Sequence, residues 1–387
     1  MTETNLNTLD AETLGMLADS IERYGKDKYN FDAHRTLLKS PAGFGVEVWK
    51  DYARMGWLAA PLGLDDGGFG GNPAAIAALM RYVGGYLALE PLFANVVLCG
   101  QLLALAGKSG DKGASERLLT LASGSRLFAL AHTESLADGV DGDVATHLSG
   151  GRLTGRKRMV LHGDTADELI VSALESPGDG ASLALFAVPL GQAGVRKTNY
   201  KLLDGRGAAS FEFDGAAATL VGQRGEGKAL LEETFDSARV ALCAEAHGAM
   251  SALNRLTLAY LKERRQFGRP IGTNQALQHR MVELFMLEQE TAAIVSASQR
   301  AIVASGPANG PHRKRAVMGA VVHTISAGRT ISHEAVQMHG GIGTTEELTV
   351  SHYFKRIMVI NRLLGDRDAH LDAFAQADAA RSARAAP

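Results

Sequence analysis

The spacing of hydrophobic residues near the start of the chain predicts helices. Leu14, Leu17 and Ile21 recur at intervals of three and four residues, which places them on one face of a helix. Pro73 opens a longer stretch with helical periodicity, since proline suits the first turn of a helix. These patterns predict an N-terminal α-helical domain over residues 1–124.

The middle of the chain changes to short segments rich in β-forming residues and separated by turn signals. Gly150–Gly151 lie between two such segments, which is typical of a β-hairpin. Several strands connected in this way predict a small β-barrel-like domain over residues 125–225.

Helical periodicity returns in the last third of the chain. Leu277, Met281 and Leu284 lie on one helical face, and short breaks divide the region into four long helical segments. The pattern predicts a C-terminal four-helix bundle over residues 226–375, with a disordered, alanine-rich tail over residues 376–387. The order of the three parts indicates an α+β fold.

Composition narrows the possible functions. The chain has 387 residues, a formal net charge of -2 and 46% hydrophobic residues, so no basic field favours nucleic acid. No run of about 18 apolar residues predicts a membrane span, and no secretory signal is visible at the N-terminus. Cys99 and Cys243 lie in apolar segments, which favours two buried free thiols over a disulfide or a metal site. We expect a cytoplasmic protein without a nucleic-acid or membrane partner.

The segment KERRQFGRPIG places arginines at the predicted end of a helix. A positive charge is favoured there by the helix dipole, so Arg264 can be explained as a cap. Arg264 beside Phe267 also offers a fork for a diphosphate and a flat surface for a ring. The residues alone leave both interpretations open.

Two further segments combine polar groups with an accessible backbone. In QMHGGIG, Gln337 precedes Gly340 and Gly341, and glycines let a backbone approach a ligand, although a helix C-cap needs only one of them. In HTE, Thr133 follows a predicted strand, where its hydroxyl can face a polar ring edge or cap the strand end. No motif of a metal site, a nucleophilic hydrolase or a phosphate-binding loop is present.

These motifs, in this order on an α–β–α chain, resemble the acyl-CoA dehydrogenase family. The matching segments are ERRQFGRPIG, QMHGGIG, AHTE and FDSAR, and the resemblance covers nearly the whole chain. Other segments, among them LEPLFANVVLCG and HYFKRI, are most similar to the small subunit of pimeloyl-CoA dehydrogenase-type heteromeric enzymes. The family oxidises an acyl-CoA to its enoyl form: a carboxylate removes the α-proton and the β-hydrogen leaves as hydride to FAD.

The resemblance implies one set of residues for the nucleotide half of FAD. Arg264 and Phe267 are expected to contact the ADP half, and Gln337, Gly340 and Gly341 to lie along the diphosphate. In the family these residues reach across a subunit interface into the flavin site of a neighbour.

A second set is implied for the flavin ring and the catalytic centre. Thr133 is expected at the pyrimidine edge, and Arg239 in FDSAR matches an arginine that supports the catalytic centre. Met159 and Leu161 stand where the family places tryptophan and threonine against the ring. Met159 can still pack on a ring face, but the Leu161 side chain cannot donate a hydrogen bond.

Both family positions of the catalytic carboxylate hold apolar residues. One position directly precedes a glycine, here Gly365, and is occupied by Leu364. The other directly precedes the FDSAR arginine and is occupied by Ala238. Asp366, two residues beyond the first position, is the leading candidate for a displaced base.

Two hypotheses follow from this departure. In the first, the chain is a subunit of a heterotetrameric acyl-CoA dehydrogenase and completes the flavin site of a homologous catalytic subunit. In the second, it is itself active and uses Asp366 as the base. The resemblance implies an acyl-CoA substrate and an electron-transferring flavoprotein as electron acceptor in either case.

Overall fold

The computed structural model describes residues 10–385 except 72, 138–139, 141, 177–181 and 305–309. The chain forms two compact units that are discontinuous in sequence. One comprises residues 1–17, 36–76 and 89–238, and the other comprises residues 18–35, 77–88 and 239–387. The N-terminal helices, assigned to a single domain by the sequence, are therefore shared between the two units.

Six α-helices precede the sheet in the described residues: α1 (Ala11–Lys28), α2 (Phe31–Leu38), α3 (Val46–Arg54), α4 (Pro73–Tyr86), α5 (Gln101–Lys108) and α6 (Lys112–Ala122). The long helical stretch predicted after Pro73 is interrupted behind α4. Leu87 adopts a left-handed conformation with φ 56°, and a buried π-helix over Leu92–Gly100 follows Pro91. Leucine rarely adopts such a φ, and proline lacks the N–H that a helix interior requires. The α-helix therefore ends here, although the hydrophobic periodicity of the sequence continues.

In the middle of the chain, the described residues form one eight-stranded mixed sheet. Its strands are β1 (Phe128–Ala131), β2 (His147–Ser149), β3 (Arg152–Leu161), β4 (Glu168–Leu174), β5 (Leu183–Pro189), β6 (Val195–Lys201), β7 (Gly207–Ala217) and β8 (Thr219–Val221). The order is β6-β7-β3-β2-β4-β5-β8, and β1 pairs in parallel with β4. The predicted hairpin at Gly150–Gly151 is confirmed, since both glycines have positive φ and join antiparallel β2 and β3.

After the sheet, the described residues form five α-helices and a small hairpin: α7 (Gly227–Glu263), β9 (Arg265–Gln266), β10 (Arg269–Pro270), α8 (Gln275–Val303), α9 (Gly310–His339), α10 (Thr349–Leu364) and α11 (Arg367–Ala385). The predicted α+β fold is confirmed. Residues 376–385, predicted as a disordered tail, are helical instead, because alanine and arginine favour a helix that has already begun.

Cys99 and Cys243 are buried free thiols, as predicted. No helix of the described residues is long and apolar enough to cross a membrane.

A buried arginine of the second unit connects two helices and the segment that follows a third. Arg356 on α10 donates to Glu245 Oε1 on α7 at 3.0 Å, and both side chains are almost fully buried. The same guanidinium donates to the carbonyl of Ala88, just beyond the end of α4, at 3.0 Å. The arginine therefore serves as both a counter-charge and a C-terminal cap.

The same region contains a close helix crossing that only glycine permits. A Cβ on Gly84 of α4 would lie 1.8 Å from the carbonyl oxygen of Glu245. A Cβ on Gly248 of α7 would lie 2.1 Å from the carbonyl oxygen of Arg81. The two backbones are therefore in direct contact beside the ion pair.

Replacing Arg356 by methionine should destabilise the protein strongly, because Glu245 would remain buried without its counter-charge. We expect the free energy of unfolding in urea to fall by about 3–5 kcal/mol. The double variant Glu245→Leu/Arg356→Met should recover part of the loss, since no buried charge remains. A single-variant loss below about 1 kcal/mol would show that the pair is not a major constraint.

Candidate functional site

A β-bulge in β3 sets the backbone conformation of the residues predicted to face the flavin ring. The pairing of β3 with β7 shifts between Lys157 and Val160, so the two residues between them leave the ladder. Arg158 N–H donates instead to the carbonyl of Thr133 at 2.7 Å. Met159 has φ 50°, and its N–H donates to the hydroxyl of Tyr200 at 2.9 Å.

The bulge brings Thr133 beside the Met159 segment. Leu161 follows two residues later and is buried. Nothing in the sequence linked Tyr200 to this segment, because the two are about forty residues apart and meet only through the order of the strands.

A buried lysine fixes the backbone on both sides of Thr133. The three donors of Lys157 Nζ are directed to the His132 carbonyl at 2.9 Å, to Glu134 Oε1 at 2.6 Å and to Ser172 Oγ at 3.1 Å. Burial lowers the pKa of Lys157 to about 8, although Glu134 opposes the shift. This set of contacts fixes Thr133 between two anchored neighbours.

The carboxylate of Glu134 joins the start of the loop after Thr133 to the backbone of Ala145 and Thr146. It accepts hydrogen bonds from the backbone N–H groups of Ala145 and Thr146 at 2.9 and 3.0 Å. Burial acts to raise the pKa of Glu134, but Lys157 and these N–H groups together hold it below its ordinary value. The negative charge is thus retained in a half-buried site.

The start of α7 lies against the same strand end. The ring of Phe235, the first residue of FDSAR, lies 5.2 Å from the ring of His132. Four residues later, Arg239 is half-buried. The start of α7 therefore contacts the AHTE segment through Phe235 and His132, which both belong to the first unit.

In the second unit, an aromatic stack connects the two motifs assigned to the nucleotide half of FAD. Tyr260 on α7 stacks on His339 of α9 with ring centroids 4.3 Å apart. Arg264 N–H bonds back to the Tyr260 carbonyl, and Gly340 directly follows His339. RQFG and QMHGG therefore adjoin although they lie about seventy residues apart in sequence.

Phe267 occupies the tip of the hairpin formed by β9 and β10. Phe267 and Gly268 both have positive φ, which gives the two-residue type I′ turn. The Phe267 side chain is 100% exposed within this chain. A left-handed conformation costs a bulky residue roughly 1–2 kcal/mol, so a fully exposed phenylalanine here indicates a role outside the fold of its own chain.

The turn after α9 leaves its backbone accessible. Gln337 is exposed, and a Cβ on Gly340 or Gly341 would meet no atom within 4 Å. Gly340 needs its positive φ of 66°, but Gly341 has neither a positive φ nor a close neighbour. Neither packing nor backbone conformation therefore requires a glycine at position 341. The absence of a side chain leaves room for a ligand to approach the backbone.

The loop after α10 keeps a defined shape without an ionisable group at Leu364. The Leu364 side chain is 0% exposed, and His370 Nε2 donates to its carbonyl at 2.6 Å. Gly365 has φ 99° and ψ -163°, a conformation that is essentially restricted to glycine. Ala238, at the other family position of the base, is also buried.

Asp366 is engaged as the N-cap of α11. Its Oδ1 accepts from the backbone N–H of Asp368 at 2.7 Å and from that of Ala369 at 3.2 Å. These bonds, with that from Ala369 the larger cause, lower the pKa of the exposed Asp366 carboxyl. Its carboxylate is therefore stabilised in the ionised state and faces solvent.

Comparisons with known proteins identify similar sequences and structures. The family model "Acyl-CoA dehydrogenase, C-terminal domain" matches residues 225–377. The acyl-CoA dehydrogenase IpdE2 of Mycolicibacterium smegmatis is 29% identical over 335 residues, which cover 86% of this chain and 88% of the relative.

Solved structures of the same fold cover nearly the full chain. The Tcur3481–Tcur3483 steroid ACAD superposes with a TM-score of 0.84 at 27% identity, covering 96% of this chain and 99% of that one. The ChsE4–ChsE5 complex from Mycobacterium tuberculosis superposes with a TM-score of 0.84 at 23% identity, covering 96% and 98%. At that lower identity the likeness concerns the fold alone.

Replacing Glu134 by glutamine should destabilise the protein, because the charge of Lys157 would stay buried without a counter-charge. We expect the free energy of unfolding at pH 7 to fall by about 2–3 kcal/mol. Glu212→Gln is the matched control: its ion pair with Arg196 is exposed and should contribute less than about 1 kcal/mol.

The pH dependence gives a second readout of the same variant. With a native pKa of about 8 against an ordinary value of 10.5, folded Lys157 binds fewer protons than the unfolded chain between these values. Its contribution to stability therefore increases as pH rises through that window. In Glu134→Gln the increase should begin at a lower pH, and identical profiles for the two proteins would contradict the assigned ion pair.

Proposed function

We propose that this chain, whose residues 225–377 match the acyl-CoA dehydrogenase C-terminal domain model, is a subunit of an FAD-dependent acyl-CoA dehydrogenase and completes the flavin site of a homologous catalytic chain. One contrast carries the proposal. The residues that the resemblance directs at a neighbour's cofactor are exposed, whereas the two positions of the base hold the buried residues Leu364 and Ala238.

The nucleotide-facing residues fit FAD by their chemistry. The exposed guanidinium of Arg264 suits a phosphate, the Phe267 ring offers a flat apolar surface, and the backbone at Gly341 is accessible. FAD supplies the hydride acceptor in this family. The ring-facing residues fit less well, because Leu161 has no side-chain donor and Met159 offers only packing.

Removal of an α-proton requires a base that this chain does not present at either family position. The base must lie within hydrogen-bond reach of a weakly acidic proton, in a pocket that excludes water. Neither Leu364 nor Ala238 can accept a proton. Under this proposal, a glutamate of the partner chain removes the proton.

The alternative, an active enzyme with Asp366 as base, has less support. Asp366 is exposed, caps α11 with its carboxylate and has a lowered pKa. A base in this reaction is improved by burial, which raises a carboxyl pKa towards the working pH. Solvent exposure also removes the dry surroundings that the reaction favours.

The partner is inferred from the composition of related assemblies. The Tcur3481–Tcur3483 structure is named for two components, and the ChsE4–ChsE5 structure is a complex of two. By analogy we propose a heterotetramer of this chain with a homologous catalytic subunit. An electron-transferring flavoprotein would then accept the electrons from the reduced enzyme.

Flavin content should depend on the partner. Expressed alone, the chain should carry much less than one FAD per chain, because its ring-facing residues are altered. Co-expression with a homologue that has an intact base should give a complex with tightly bound FAD and acyl-CoA dehydrogenase activity. A fully flavinylated, active homo-oligomer of this chain alone would contradict the proposal.

Asp366→Asn separates the two hypotheses. Asparagine can still cap α11 through its side-chain oxygen, so folding and complex assembly should be retained. We expect acyl-CoA turnover of the complex to stay within a factor of about two of the unmodified complex, because this interpretation assigns Asp366 no chemical step. Loss of turnover with flavin still bound would establish Asp366 as the base instead.

A further inference from the structure

We propose that Tyr200 is a positioning residue of the ring-facing set and holds the Met159 bulge in the conformation that a flavin would meet. The inference rests on the proposed function, because that function assigns Thr133, Met159 and Leu161 to the flavin ring. Neither the motifs nor the comparisons give Tyr200 a role.

Tyr200 lies on the sheet face opposite the β-domain core. The register pairs Tyr200 with Ala208 and Ala208 with Leu161, so these three residues form one row across β6, β7 and β3. The neighbouring row contains Ala209 and Val160, which belong to the hydrophobic core of the β domain. Tyr200 therefore shares its face with Leu161, one of the predicted ring contacts.

The small side chain of Ala208 allows the phenol to reach across β7. The Tyr200 hydroxyl accepts the N–H of Met159 at 2.9 Å, which satisfies the donor that the bulge removes from the β3–β7 ladder. Met159 has a φ of 50°, which is unfavourable for a side chain of its size. Such a conformation needs support from its surroundings, and this hydrogen bond supplies it.

The location of Tyr200 argues against a role in general packing. Strand β6 is at the edge of the sheet, six of its seven residues are exposed, and Tyr200 itself is 36% exposed. The phenol also keeps its own proton while it accepts from Met159. It therefore presents a hydrogen-bond donor on the face where the Leu161 side chain has none.

The test compares Tyr200→Phe with Thr198→Val by amide hydrogen exchange and mass spectrometry on the intact protein. Both variants remove one hydroxyl from the same face of β6. Loss of a single hydrogen bond should accelerate exchange of the Met159 amide roughly fivefold to tenfold in Tyr200→Phe. Thr198→Val should leave that amide unchanged. Equal protection of Met159 in both variants would overturn the inference.

A second readout concerns the cofactor. In the complex with the catalytic partner, Tyr200→Phe should raise the dissociation constant of FAD for a site containing Met159 and shift the visible absorption of the bound flavin. Thr198→Val should do neither. If exchange at Met159 increases but no assembly of the wild-type chain binds FAD, the positioning role stands and the proposed function fails. If FAD binds and Tyr200→Phe leaves exchange of the Met159 amide unchanged, the positioning role of Tyr200 is overturned while the proposed function stands.

Discussion

A guanidinium buried among helices must find a counter-charge and acceptors, and this constraint organises the second unit around Arg356. Glu245 supplies the charge and the carbonyl of Ala88 supplies a further acceptor, so α4, α7 and α10 meet at one side chain. Contact between the helix backbones at Gly84 and Gly248 makes the same crossing tight. Close packing holds the two side chains in place. Loss of either partner would leave an unpaired ion in the interior.

The two helices joined by this pair carry the two positions at which the family places its base. Ala238 lies on α7 two turns before Glu245, and Leu364 lies on α10 about two turns after Arg356. Gly365 gives the loop after Leu364 a defined conformation, while neither of the two positions holds an ionisable side chain.

The bulge in β3 likewise combines a defined backbone conformation with few polar side chains. Lys157 anchors the backbone around Thr133, and the backbone at Met159 is held in an uncommon conformation. Leu161 nevertheless lacks a donor. Under the proposed function, this segment would face a flavin ring with fewer polar side chains and would assist the chemistry of another chain.

The sequence predicts the fold class, because hydrophobic periodicity and glycine positions are local signals. It mispredicts the end of the chain, where helical propensity outweighs the expected fraying of α11. It also misses the interruption at Leu87, since a left-handed leucine has no sequence signature. The contacts of Tyr200 and of Tyr260 depend on strand order and helix crossing, so no local pattern could reveal them.

The central claim is that this chain completes the flavin site of another chain. Its most direct test replaces Arg264 and Phe267 by alanine and measures FAD in the purified complex with the unmodified catalytic partner. Both side chains are exposed here, so the fold should be unaffected and light scattering should show an intact assembly. The account predicts that flavin content and turnover fall together, by roughly tenfold or more. An assembled complex with unchanged flavin and unchanged turnover would contradict it.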